Sequence, residues 1–278
     1  GVLTYRQLKM RALLLADYIK KLPGTSIGIL LPSSVAAYLS ILACQIAGKV
    51  PVMINWTVGP RHLEALVSLS QIQTVLSSWA FLDKLDNVDL GPVEPFMLTL
   101  EDLRLKLSWK DKIKALYRSR RSVQSLLAQF PCQESAVILF TSGTESLPKG
   151  VPLTHENILS NQRAVLESIV LDSQDVLIGI LPPFHSFGFT ITGLLPILGG
   201  VKVAYYPDPT NGAGVAKAVE RWGGTLICGA PSFLKGMFVN SREKQLNSLK
   251  LCVTGAEKAP PELFQKVREL PHCRLVEG

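Results

Sequence analysis

The stretch Ala136-Val-Ile-Leu-Phe140 runs directly into Thr141-Ser-Gly-Thr-Glu-Ser-Leu-Pro-Lys-Gly-Val151. Five consecutive apolar residues before a turn-rich run read as a buried strand. The segment after Phe140 is rich in small, hydroxylated residues and contains glycine. Its backbone N–H groups can approach an anion closely, and its hydroxyls add donors without bulk. Lys149 supplies a mobile point charge suited to a phosphate. The pattern is not the Gly-x-x-x-x-Gly-Lys-Ser/Thr loop of P-loop NTPases, because no glycine precedes Lys149 and Gly150 stands where a hydroxyl is required. Read by itself, the segment is either an anion-binding loop or an ordinary Ser/Gly/Pro surface turn.

Outward from this strand, short apolar runs alternate with helical periodicity. The expected order begins with a helix from Leu3 through Leu22, ended by Pro23-Gly24. Strand 27–31, helix 35–47 ended at Gly48, strand 50–53, helix 60–69 and strand 73–76 come next. Beyond the loop the expectation is a helix over about 156–168, then strands near 176–181, 201–205, 225–228 and 250–254 with helices between them. Strand and helix in alternation predict an α/β fold, parallel-rich sheets flanked by helices. His155 is expected to help cap the helix that starts near Glu156. His62 and His272 have no partner by spacing, and no zinc-type ligand cluster is present.

The 278 residues are 47% hydrophobic and 18% charged, which excludes a disordered or fibrous chain. Five cysteines, odd in number and widely spaced, point to a reducing cytoplasm rather than a disulfide framework. Thr25 to Gly48 and Val176 to Val201 are long and uncharged, but Pro32-Ser33-Ser34 interrupts the first, and Pro182-Pro183 and Gly199-Gly200 the second. A net charge of +7 favours polyanionic partners: nucleotides, acidic carrier proteins or anionic membrane. The excess gathers between Arg104 and Arg121, where Leu105, Trp109, Ile113 and Tyr117 are interleaved with lysines. That segment reads either as a basic amphipathic helix, meeting a membrane's inner face or an acidic partner, or as a solvated helix with one buried stripe.

The loop resembles the Tyr/Phe-Thr-Ser-Gly-Thr/Ser-x-Gly-x-Pro-Lys-Gly-Val signature of the adenylate-forming superfamily, which includes acyl-CoA synthetases, luciferases and peptide-synthetase adenylation domains. Leu181-Pro-Pro-Phe-His185-Ser-Phe-Gly188 is similar to that family's next motif, Val253-Thr-Gly-Ala-Glu257 to its adenine-side segment, and Arg274-Leu-Val-Glu-Gly278 to the run-in to Tyr-Gly-x-Thr-Glu. Within the superfamily, Ile54-Asn-Trp-Thr, Phe81-Leu-Asp-Lys, Leu100-Glu-Asp-Leu, Tyr206-Pro, Gly255-Ala-Glu-Lys258 and Glu145 look like the acyl-ACP synthetase domain of the bacterial 2-acylglycerophosphoethanolamine acyltransferase/acyl-ACP synthetases. Ser146 departs from that branch, which carries glycine there.

The resemblance implies ATP-dependent activation of a fatty acid to an acyl-adenylate, followed by transfer to a phosphopantetheine thiol. The acceptor is then an acyl carrier protein or coenzyme A, with lysophospholipid acylation coupled in the narrower branch. It assigns Thr141, Ser142, Gly143, Thr144, Lys149 and Gly150 to the triphosphate, with Mg bridging the phosphates and Thr144 as its protein hydroxyl. His185 would lie between the acyl carboxylate and the phosphate, making His185 and Lys149 the catalytic candidates. Gly255, Ala256 and Glu257 would wall the adenine, unless they merely end a strand. Phe187, Gly188 and Thr190 would line the acyl pocket, unless they are core packing. The implied architecture is the large N-terminal domain of such enzymes, with 1–24 joined to 175–278 as the acyl and adenine side and 25–174 as a second subdomain carrying 141–151. The later barrel and mobile C-terminal domain would fall beyond Gly278, so the chain alone is expected to be inactive. A non-catalytic nucleotide- or lipid-binding module, or a membrane-associated scaffold built on 104–121, are the readings of another class.

Overall fold

A computed structural model describes residues 2–85, 88–127, 129–141, 147–255 and 257–278. The chain forms two compact units, Gly1–Leu31 with Val35–Ile158 and Pro32–Ser34 with Leu159–Gly278.

The first unit runs α1 (Tyr5–Ile19), β1 (Ser26–Ile29), α2 (Val35–Ile46), β2 (Val50–Met53), α3 (Pro60–Ser70), β3 (Val75–Ser77), α4 (Trp79–Leu82), β4 (Met97–Thr99), α5 (Leu100–Lys106), α6 (Trp109–Ser119), α7 (Val123–Leu127), β5 (Ser135–Phe140) and β6 (Gly150–Thr154). Its six-stranded sheet has the order β4-β3-β1-β2-β5-β6. All pairings are parallel except β5 with β6, which is antiparallel. Strands β1, β2 and β3 are buried throughout, which is why they read as unbroken apolar runs rather than as alternation. On one face Leu63 and Leu66 of α3 pack with Val52, Ile54 and Val75.

Some helix starts are set by side chains. Thr4 caps α1 by accepting from Gln7 N–H at 3.3 Å, while the Gln7 side chain accepts from Thr4 N–H at 3.0 Å. Gly48, at φ +73°, supplies the left-handed turn after α2 that a side chain would resist. The division expected from sequence put 1–24 with the chain's later half; the structure instead holds α1 in the first unit, packed on α2 and α6. Leu13, Ala16 and Ile19 give α1 the buried face for that packing, and Asp17 pairs with Lys114 and Arg118 of α6.

Two further expectations are corrected. Arg104–Arg121 is two helices rather than one, because Ser108 caps α6 in a reciprocal pair with Asp111 and breaks the run. Thr154, not His155, caps α8 (His155–Ser168): its hydroxyl accepts from Asn157 N–H at 3.1 Å and its own N–H donates to Asn157 Oδ1 at 3.0 Å. A threonine hydroxyl reaches the third helical N–H from the position before the helix, where an imidazole at its first residue does not.

The second unit contains β7 (Val176–Gly179), α9 (Leu195–Gly199), β8 (Lys202–Tyr205), α10 (Gly212–Trp222), β9 (Leu226–Gly229), α11 (Pro231–Val239), β10 (Leu251–Thr254), α12 (Pro261–Arg268) and β11 (Arg274–Glu277). The sheet order is β11-β10-β9-β7-β8, parallel throughout. Val215, Val219, Ile227, Leu234, Leu249 and Leu263 form the heart of its core. The base of β7 is tied by Asp175, nearly buried, which accepts from Thr225 Oγ at 2.9 Å, Lys250 Nζ at 2.8 Å and Asp172 N–H at 2.9 Å. Burial alone would raise this carboxyl's pKa, yet those donors outweigh it and hold the value below the usual carboxylate range. Among the described residues no helix is long and apolar enough to cross a membrane.

Candidate functional site

The Thr141–Lys149 loop joins β5 to β6 as the end of an antiparallel hairpin, with Phe140 paired to Gly150. Its mouth is closed by two hydrogen bonds between the flanking residues. Thr141 N–H donates to the Lys149 carbonyl at 3.1 Å, and Lys149 N–H donates to Thr141 Oγ at 3.1 Å. Thr141 is therefore a hinge pin as well as a hydroxyl at the mouth. Gly150 faces the Phe140 ring, which a Cβ would meet at 3.1 Å. Lys149 is exposed, and its ammonium makes no ion pair among the described residues. Ser142, Gly143, Thr144, Glu145 and Ser146 lie outside the described residues.

In the second unit the loop after β7 carries His185. Its backbone N–H donates to Pro182 O at 3.2 Å, and its carbonyl accepts from Phe189 N–H at 2.8 Å. The imidazole is exposed on one side and meets buried Phe184 at a tilt on the other, ring centroids 4.6 Å apart and ring planes 59° apart. The protein around the ring desolvates the imidazolium and lowers the pKa of His185, so the neutral form is favoured.

Beyond His185 the helix is wide: Gly188–Leu194 is π-helical before it tightens into α9. Such widened turns are found disproportionately at functional sites. Gly188 is needed there for close approach, because a Cβ would sit 2.0 Å from Pro182 O. That requirement stands whether or not an acyl chain passes nearby. Phe187 packs against the core of its unit. The Thr190 hydroxyl donates to Ser186 O at 2.8 Å, while its carbonyl accepts from the Gln162 side chain at 3.4 Å.

Strands β10 and β11 end side by side, Gly278 N–H donating to Thr254 O at 2.9 Å. Gly255 faces that end, and Glu257 is exposed; Ala256 lies outside the described residues. The turn after β10 is held by Glu277, whose carboxylate accepts from Ala259 N–H at 2.7 Å. Sequence patterns did not single out Glu277, Gln162 or Asp175. A carboxylate just before a strand start was the available signal for Asp175. Within the second unit the carboxyl ends of β7 and β10 carry the His185 and Gly255 segments, as expected for open α/β sheets. Among the described residues no group of three or more His, Cys, Asp or Glu is placed to hold a metal.

Comparison with known proteins gives this geometry a class. The o-succinylbenzoate coenzyme A synthetase of Bacillus subtilis, solved in complex with AMP, superposes with a TM-score of 0.71 at 19% identity over 98% of this chain and 66% of that one. The fold is thus that of the N-terminal region of adenylate-forming enzymes. The family described as AMP-binding enzyme matches residues 1–278, and the chain belongs to it. A long-chain-fatty-acid–CoA ligase of Bacillus subtilis (strain 168) is 24% identical over 300 residues, covering 98% of this chain and 53% of that protein. A medium-chain fatty-acid–CoA ligase of Escherichia coli (strain K12) is 35% identical over 139 residues, 49% of this chain and 24% of that protein. The chain therefore spans about half the length, or less, of these curated relatives.

Proposed function

We propose that this protein activates a fatty acid with ATP, forming an acyl-adenylate and pyrophosphate, and passes the acyl group to a thiol with release of AMP. The observation that carries the reading is the hairpin mouth, where an exposed lysine with no internal counter-ion among the described residues stands beside a strand-end threonine. This pair fits a polyphosphate: a mobile cation beside a hydroxyl at the carboxyl end of a strand. Thr141, Ser142, Gly143, Thr144, Lys149 and Gly150 are the residues assigned to hold the phosphates, and Gly255, Ala256 and Glu257 those assigned to the adenine. Magnesium, were it bound with the nucleotide, would offset phosphate charge, and Thr144 is the hydroxyl assigned to it.

Attack of a carboxylate on the α-phosphate needs charge neutralisation and alignment rather than a protein nucleophile. Lys149 supplies a mobile positive charge. His185, kept neutral by desolvation, donates one N–H toward developing negative charge without adding a competing cation. Phe187, Gly188 and Thr190 are assigned to the acyl side. Coenzyme A as acceptor is supported by the names of the relatives. Acyl carrier protein as acceptor, with lysophospholipid acylation coupled to it, is the narrower reading that rests on the 54–57, 81–84 and 100–103 segments.

Fatty-acid-dependent exchange of labelled pyrophosphate into ATP by the full-length protein tests the reading. Lys149→Ala and His185→Ala are each expected to lower exchange by roughly a hundredfold, with unchanged thermal midpoints because both side chains are exposed. Exchange equal to wild type in either variant removes that residue from the chemistry. No exchange with any fatty acid tried removes the substrate class, and competition between coenzyme A and carrier protein then ranks the acceptors.

A further inference from the structure

The adenylation chemistry leaves the α5–α6 segment unused, although it holds the chain's whole charge imbalance. Eight of the 29 basic residues and one of the 22 acidic residues lie in 104–121, so the rest of the chain is balanced at 21 against 21. The one acid, Asp111, is engaged at the α6 cap with Ser108. α6 spends one face on its own fold: Ala115 and Ser119 are buried, and Lys114 and Arg118 pair with Asp17 of α1. A different face remains uncovered. Trp109, Ile113 and Tyr117, spaced by four residues and so on one stripe, are 66%, 56% and 66% exposed, and Leu105 at the end of α5 is 85% exposed.

Helical spacing puts Lys110 and Lys112 on either side of that stripe, and both are exposed, as is Lys106. None of the three makes an ion pair among the described residues. The exposed apolar stripe on α6, with exposed Leu105 at the end of α5, calls for a covering surface. An aromatic pair with aliphatic neighbours, bordered by lysines long enough to reach outward while their stems lie flat, matches the boundary layer of an anionic bilayer. An acidic protein would satisfy the lysines but must carry an apolar patch in matching register to cover the stripe, whereas an anionic bilayer supplies both layers by its nature.

We propose that this segment docks the protein peripherally on an anionic lipid surface, with Leu105, Trp109, Ile113 and Tyr117 in the interface and Lys106, Lys110 and Lys112 against the headgroups. The test is co-sedimentation of the purified protein with phosphatidylcholine vesicles, with and without phosphatidylglycerol, at low and high salt. Expected is binding that requires phosphatidylglycerol and weakens with salt. Lys106→Glu/Lys110→Glu/Lys112→Glu should weaken it by roughly a hundredfold, from the usual worth of a lysine near such a surface. Trp109→Ser/Ile113→Ser should also weaken it, and neither variant should shift the thermal midpoint, because every altered side chain is exposed. The control Lys202→Glu/Lys217→Glu, equally exposed and in the other unit, should bind as wild type. Absence of binding to phosphatidylglycerol vesicles overturns the proposal. So does equal binding by the lysine variant, or capture of an acidic carrier protein by this segment without vesicle binding.

Discussion

The two loops that carry the candidate chemistry are held in opposite ways. The β5–β6 hairpin has exposed loop ends, stitched by hydrogen bonds between Thr141 and Lys149. The loop after β7 is wedged: Gly188 lies against the Pro182 carbonyl, and Phe184 is buried beside His185. A stitched mouth tolerates change, since water can replace a lost exposed hydrogen bond at little cost. A wedged loop does not, because nothing can replace missing space.

The sharpest way to break this contrast is Gly188→Ala. The added methyl meets rigid backbone, so an unfolding free energy lower by about 3 kcal/mol, the upper part of the overpacking range, is expected in urea titrations. A variant as stable as wild type would mean that the loop is not wedged. Next in size is Asp175→Asn, which loosens the opposite end of β7 by weakening the Lys250 and Thr225 bonds. About 2 kcal/mol is expected. Because the folded pKa of Asp175 is depressed, its contribution is present above about pH 4 and is lost as pH falls through the folded value. The variant should therefore converge on wild type in acid.

Thr141→Val should cost only about 0.5 kcal/mol, since the hydroxyl it removes is exposed; a larger loss would show that the mouth is wedged too. The smallest effect is expected from His185→Asn. The imidazole's pKa is lowered on folding, so the unfolded chain takes up the proton first. Its contribution is complete above about pH 6.5 and lost as pH falls through the folded value. The variant should show a slightly shallower fall in stability on acidification, measured as thermal midpoint against pH.

The same contrast explains what sequence could reveal. The hairpin loop advertises itself by composition, since small, hydroxylated and basic residues after an apolar strand are a local pattern. Strands buried on both faces are equally local, and β2 and β5 lie where their apolar runs put them. The antiparallel turn of β6 left no such mark, because Gly150–Thr154 carries no strand alternation. The wedge at Gly188, the π-helical turn and the reach of Glu277 to Ala259 depend on residues brought together only by folding. The packing of the N-terminal helix is out of reach of local pattern for the same reason. Its partners on α2 and α6 are a matter of shape and of Asp17, which no periodicity in residues 5–19 discloses.

β6 is an edge of the six-stranded sheet, and Gly150, Val151 and Pro152 along it are exposed. An open edge is a template on which a second molecule can build by strand addition. Proline at 152 removes a backbone donor from that template. The edge is therefore less able to seed aggregates at high protein concentration, and Pro152→Val is the substitution from which precipitation should first be expected.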